Sequence, residues 1–88
     1  MVWSNVDYSS IINQNIIYKN GSYGILIHKG TTAHIIISDN YVTGGWNGLA
    51  IYENSSNYFI HDNDFRGNVY NIWTSGINDT GTLLNNLN

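Results

Sequence analysis

The chain has no cysteine, so neither a disulfide framework nor a thiolate metal site can hold it together, and cysteine usage says nothing about its redox compartment. Strong cations are nearly as scarce: Lys19, Lys29 and Arg66 are the only three, and the net charge is −3. A surface that neutralises a phosphate backbone needs a stripe of such residues, so nucleic acid is not an expected partner. Long apolar runs are missing too. The longest, such as Ile35 to Ile37, are a few residues long, and a membrane is not an expected partner either. Met1 is followed by neither a basic stretch nor an apolar one, so no export signal is read here.

What remains is a composition rich in asparagine, serine and glycine, free of proline, and 14% aromatic. That aromatic share is far above what a disordered chain carries, so a folded domain with little helix is expected. Eighty-eight residues make a single domain with a small core.

Self-similarity gives the architecture. Four segments align on their asparagines: SIINQN ends at Asn15, IIISDN at Asn40, YFIHDN at Asn63 and TLLNN at Asn86, with spacings of 25, 23 and 23 residues. After each of the first three comes a short strand (Ile16 to Tyr18, Tyr41 to Thr43, Asp64 to Arg66), then a glycine-bearing loop, then a strand reading GILIH, GLAIY or NIWT. Apolar residues alternate within each strand, as they do in a strand with one buried face. Three places before the asparagine stand Ile12, Ile37, Ile60 and Leu83; two places after it stand Ile17, Val42 and Phe65. The third strand adds Ile25 with Ile27, Leu49 with Ile51, and Ile72 with Thr74. No sustained 3.6-residue stripe is present.

A coil of about 23 residues cannot bury its own apolar face, but a second coil stacked one strand spacing away, ~4.8 Å, closes the core and pairs the backbone. The expectation is an all-β, right-handed single-stranded parallel β-helix of about three coils, occupying residues 1–88. Asn15, Asn40, Asn63 and Asn86 would stack as an asparagine ladder, because an amide carries both donors and an acceptor and can satisfy turn backbone while bonding its neighbours.

At these residues the chain resembles the right-handed parallel β-helix repeats of the pectate-lyase-like superfamily, in which an asparagine ladder follows the second strand and a Gly-Ile-x-Ile strand opens the next coil. The segment from Asn63 to Asn88 is similar to the closing coils of phage tail-appendage and related bacterial β-helix proteins. The resemblance implies an extracellular, cell-surface or virion location. It does not imply catalysis, because lyases, hydrolases, epimerases, surface proteins and tailspikes share the repeat. The Gly-His-Gly and Arg-x-Lys motifs of polygalacturonase-like enzymes are absent. Where pectate lyases carry arginines and calcium-binding aspartates, the outward positions are Leu26, His28, Ala50, Tyr52, Trp73 and Ser75.

Candidate chemistry lies in three places. Tyr23, Trp46 and Tyr70 fall in successive loops leading into the GILIH-type strands, with Tyr52 and Trp73 outward on or beside them. Such rings form a platform for the flat C–H face of a sugar; alternatively they cover apolar neighbours or a subunit contact. His61, Asp62, Asp64 and Arg66 crowd one turn, and a carboxylate pair beside a histidine could work on a glycosidic bond if one acid were held protonated; a solvated turn with a surface ion pair is the plainer reading. Asp39 and Asp62 align in adjacent coils, but calcium wants six or more oxygens and unliganded surface acids are the plainer reading. His28, His34 and His61 lack zinc spacing, so no metal and no cofactor is expected.

By the alternation, Ile11, Ile36 and Phe59 form an apolar column on the outer face of the second strand, and with Leu26 and Trp73 they suggest a contact with another chain or with a missing segment. Val2 stands in the place of Ile27 and Ile51, and both ends of the stack are expected uncapped. The chain is therefore expected to be part of a longer β-helix or a homo-oligomer. The leading functional expectation is a non-catalytic scaffold contacting polysaccharide; a fragment of a polysaccharide lyase or glycoside hydrolase and a purely structural spacer are the alternatives.

Overall fold

The structure is a computed structural model that describes residues 2–4, 10–13, 15–18, 22–30, 32 and 34–88, with only the backbone of residues 2–4, 10–13, 16 and 18 described. Among the described residues ten strands follow in chain order: β1 (Val2–Ser4), β2 (Ser10–Asn13), β3 (Ile16–Tyr18), β4 (Tyr23–Ile27), β5 (Ile35–Ser38), β6 (Tyr41–Thr43), β7 (Asn47–Ile51), β8 (Ser56–His61), β9 (Tyr70–Thr74) and β10 (Thr80–Leu84). They form two four-stranded sheets, ordered β1-β4-β7-β9 and β10-β8-β5-β2, and a two-stranded sheet β3-β6. Every pairing is parallel, and each joins strands separated by two others in the chain or, at β7-β9 and β8-β10, by one. No described helix is long and apolar enough to cross a membrane.

The registers follow the apolar repeat. Ile12, Ile37, Ile60 and Leu83 are successive partners across the second sheet. Ile25, Leu49 and Ile72 are partners across the first, as are Ile27, Ile51 and Thr74. A one-residue slip would turn every apolar side chain to the other face, so burial pins the register. A two-residue slip would not, and that distinguishes the first strand: Val2 pairs with Ile25, and Ser4 with Ile27. The alignment of Val2 with Ile27 is thereby corrected by two places, which leaves its parity unchanged.

One core cluster draws on all three sheets: Ile25, Ile27, Leu49 and Ile51 from the first, Ile35, Ile37, Tyr58 and Ile60 from the second, and Val42 from β6 with Phe65 beside it. Fully burying side chains of this size contributes roughly 1.5–3 kcal/mol each.

The expected strand from Asp64 to Arg66 shrinks to a single bridging residue, Asp64, paired with Tyr41 and Leu87. The cause is local. Asp64 Oδ1 accepts the backbone N–H of Arg66 at 3.0 Å, so that donor is taken by a side chain and not by a neighbouring strand. Phe65 keeps its inward place and is fully buried.

At the corner after the second sheet, Asp39, Asp62 and Asn85 adopt left-handed backbone (φ 56°, 57° and 56°), a conformation that Asp and Asn tolerate because their short side chains bond locally. The asparagine following each is hydrogen-bonded to its stacked neighbours. The backbone N–H and Nδ2 of Asn15 donate to Asn40 Oδ1 at 2.9 and 3.1 Å. Those of Asn40 donate to Asn63 Oδ1 at 3.0 and 2.9 Å. Those of Asn63 donate to Asn86 Oδ1 at 3.1 and 2.9 Å. Asn40 and Asn63 are buried, so these bonds satisfy groups that water cannot reach.

Candidate functional site

The starts of β4, β7 and β9 are brought side by side by the parallel pairing, which sets Tyr23, Asn47 and Tyr70 in one register column. Trp46 precedes that column by one residue. From the far ends of the same strands come Trp73 on β9 and Tyr52, the residue after β7. Together these six residues line a cleft of about 360 Å³.

The rings are in mutual contact. Tyr52 packs on Trp73 with centroids 5.0 Å apart and on Tyr23 edge-on at 6.3 Å. Trp46 meets Tyr70 edge-on at 5.7 Å. Edge-to-face and tilted pairs of this kind hold the rings in place beyond simple area burial. The Tyr23 and Tyr52 hydroxyls lie 2.7 Å apart, one donating to the other. That hydrogen bond with Tyr23, followed by partial burial, raises the Tyr52 pKa above the usual phenol value. Trp46 and Tyr70 are more than half exposed and Trp73 is 36% exposed.

Part of this aromatic surface also shelters its own strand. Leu26 and Ala50, register partners of Trp73's column, are buried although they lie outside the core cluster. Leu26 shares a second cleft, of about 450 Å³, with Tyr23, Tyr52, His28, Lys29 and Glu53. The expected exposed apolar patch containing Leu26 is corrected accordingly, because Leu26 is buried and does not face solvent.

Sequence reasoning missed Asn47, which takes the place in the column that Tyr23 and Tyr70 hold on either side. The signal was present: aligning GILI with GLAI on their glycines sets Asn47 under Tyr23. Asn47 is 7% exposed, and its Oδ1 is buried with no hydrogen-bond partner among the described residues. Leaving a buried acceptor unpaired costs about 1–3 kcal/mol.

The acidic turn lies elsewhere, at the asparagine corner. Asp39, Asp62 and Asp64 line an open groove of about 630 Å³ together with Asn15, Asn40 and Asn63. Asp64 is occupied by Arg66, whose Nε and Nη2 donate to its two oxygens at 3.0 and 2.9 Å. This fork lowers the Asp64 pKa, which keeps the carboxyl ionised and unsuited to donate a proton to a leaving group. His61 Nδ1 contacts Asp62 Oδ2 at 2.7 Å, and its ring stacks on Phe59 at 4.3 Å. Among the described residues no three His, Cys, Asp or Glu side chains are grouped to hold a metal ion.

On the second sheet, Ile11, Ile36 and Phe59 are successive register partners, and Thr82 of β10 continues the column. Ile36 and Phe59 are exposed, about 40% each. The Ile11 side chain lies outside the described residues, as does Lys19.

The stacked parallel strands and the asparagine-cornered repeat define a class that comparison makes specific. The model for the right-handed β-helix region matches residues 2–87, and the chain belongs to that family. No curated protein and no solved structure matches it.

Proposed function

We propose that this chain is a non-catalytic segment of a β-helix, about three coils tall and pinned at one corner by an asparagine ladder, that holds polysaccharide along its aromatic flank. The observation that carries this reading is the cleft of Tyr23, Trp46, Asn47, Tyr52, Tyr70 and Trp73, an open, ring-lined trough on a parallel sheet with no charged group among its described lining residues. Sugar rings offer C–H faces that pack on aromatic rings and hydroxyls that bond to amides, so a trough of this composition suits a glycan chain. The occupation of Asp64 by Arg66 removes Asp64 as the protonated acid that a glycosidase pair at the corner would need. The resemblance of residues 63–88 to tail-appendage repeats supports a place in a phage-tail-like or bacterial surface protein, outside the cell. The exposed Ile36–Phe59 column supports contact between copies of the chain or with a larger β-helix.

Titration of intrinsic tryptophan fluorescence against a panel of neutral and acidic oligosaccharides tests the binding reading. Trp46 and Trp73 both line the cleft, so a bound glycan changes their emission, and Trp73→Ala abolishes saturable binding while the chain stays folded. Unchanged emission across the panel would leave a purely structural spacer.

A further inference from the structure

The aromatic cleft contains one polar side chain whose hydrogen bonding the protein leaves incomplete. Asn47 lines the cleft, is more than nine-tenths buried, and its Oδ1 has no partner among the described residues. Its backbone is already committed: the Asn47 N–H donates to Ser22 O at 2.9 Å. The Asn68 amide, which lies by the adjacent Gly48, gives its Nδ2 donors to Val42 O and Phe65 O at 2.8 and 2.7 Å. Neither of those donors serves the Asn47 oxygen.

The other asparagines of this fold make the contrast plain. Asn40, Asn63 and Asn68 each use the side-chain oxygen as an acceptor. An amide oxygen set among rings, with no partner among the described residues, is an acceptor open to a donor that comes from outside. The cleft also has a definite charge character. Among the described residues no lysine, arginine, histidine or carboxylate lines it; Lys29, His28 and Glu53 belong to the neighbouring cleft beyond Tyr23 and Tyr52.

Resting on the glycan-binding reading above, we infer that Asn47 is the polar anchor of the cleft and that the ligand is a neutral sugar unit, one hydroxyl of which donates to Asn47 Oδ1 while its C–H face lies on the Trp73–Tyr52 wall. The oxygen is screened from solvent in the free chain, so the amide turns toward the cleft as the sugar enters. A uronate carboxylate finds no cation among the described lining residues and meets the lone pairs of the carbonyl oxygen, so acidic glycans are rejected at this position.

The experiment measures affinity and thermal stability together for the wild-type chain and for Asn47→Leu, Asn47→Ala and Trp73→Ala. The probes are neutral hexasaccharides of glucose, galactose and mannose and a polyuronate hexasaccharide. The expected result is that a neutral hexasaccharide binds and the polyuronate does not, and that Asn47→Leu raises the Kd roughly tenfold or more while its Tm stays level or rises, because an unpaired polar group is replaced by an apolar one of similar size. Asn47→Ala, which cannot overfill the site, shows the same loss of affinity.

Tighter binding of the polyuronate overturns the inference. So does an unchanged Kd in both Asn47 variants when Trp73→Ala abolishes binding, a result that leaves the aromatic reading standing. A fall in Tm for both Asn47 variants with affinity intact assigns Asn47 a structural role and also overturns it. Failure of every probe to bind the wild type removes the glycan reading itself, and the inference with it.

Discussion

The Asn40 side chain donates to Asn63 Oδ1 at 2.9 Å across two stacked turns, and both residues are at least 97% withdrawn from solvent. Asn63 is heavily used. Its oxygen takes both the backbone N–H and Nδ2 of Asn40, while its own Nδ2 reaches Ile37 O, His61 O and Asn86 Oδ1. Asn15, at the other end, is exposed.

Asn63→Ala therefore strands several buried groups at once. At about 1–3 kcal/mol for each group left unpaired, the expected loss is ~3 kcal/mol or more, a large part of the stability of a chain this short. Asn15→Ala costs ~1 kcal/mol or less, since water replaces the lost partner. Urea unfolding of the two variants compares them directly, and equal losses would contradict the burial argument.

Gly81 of β10 fits because it has no side chain. A Cβ there would run into the ring of Tyr58, which is itself buried in the core cluster. Gly81→Ala pushes that ring out of place and is expected to destabilise by about 1–3 kcal/mol, as overpacking does elsewhere. A chain as stable as wild type in thermal unfolding would mean that the ring moves freely.

The tyrosine pair has a signature at alkaline pH. Tyr52 is raised above the usual phenol value, first by its hydrogen bond with Tyr23, so its neutral form is favoured in the folded state. A group with a raised folded pKa contributes stability that is fully present below the unfolded value and is lost as pH climbs through the folded one. Tyr23→Phe removes the main cause, and ultraviolet titration of phenolate absorbance should then show Tyr52 ionising at lower pH. Burial raises Tyr58 separately, so its titration stays where it was.

The Ile36–Phe59 column predicts association. Phe59→Lys sets a charge in the middle of an exposed apolar strip and is expected to shift the sedimenting mass to that of a single chain, with circular dichroism unchanged. A wild-type chain that already sediments as a monomer at every concentration would remove this face from consideration as a contact between copies.

Much of the architecture could be read in advance because its physics is local and periodic. Alternation told which face of each strand is buried, and the recurrence of asparagine every 23 to 25 residues told which strands stand above one another. Parallel stacking of Ile12, Ile37, Ile60 and Leu83 follows from those two facts alone. Two alignments failed where those constraints are weak. Val2 moved by two places because a two-residue slip keeps the same face buried, and the strand at Asp64 stopped after one bridge because a side chain competed for the Arg66 N–H.

What the sequence determined by itself was the β-helix: its parallel strands, its core columns and the positions of its asparagines, all set by period and burial. Only the tertiary structure decided that Tyr52 and Trp73 reach back to Tyr23 to make a cleft, that Arg66 occupies Asp64, and that Asn47 sits among rings with its oxygen unpaired. Apart from the Arg66–Asp64 fork, which is local, these are contacts between residues of different repeats, and side-chain packing sets them. The orientation of a ring or an amide depends on what neighbours leave room for, which no repeat length encodes.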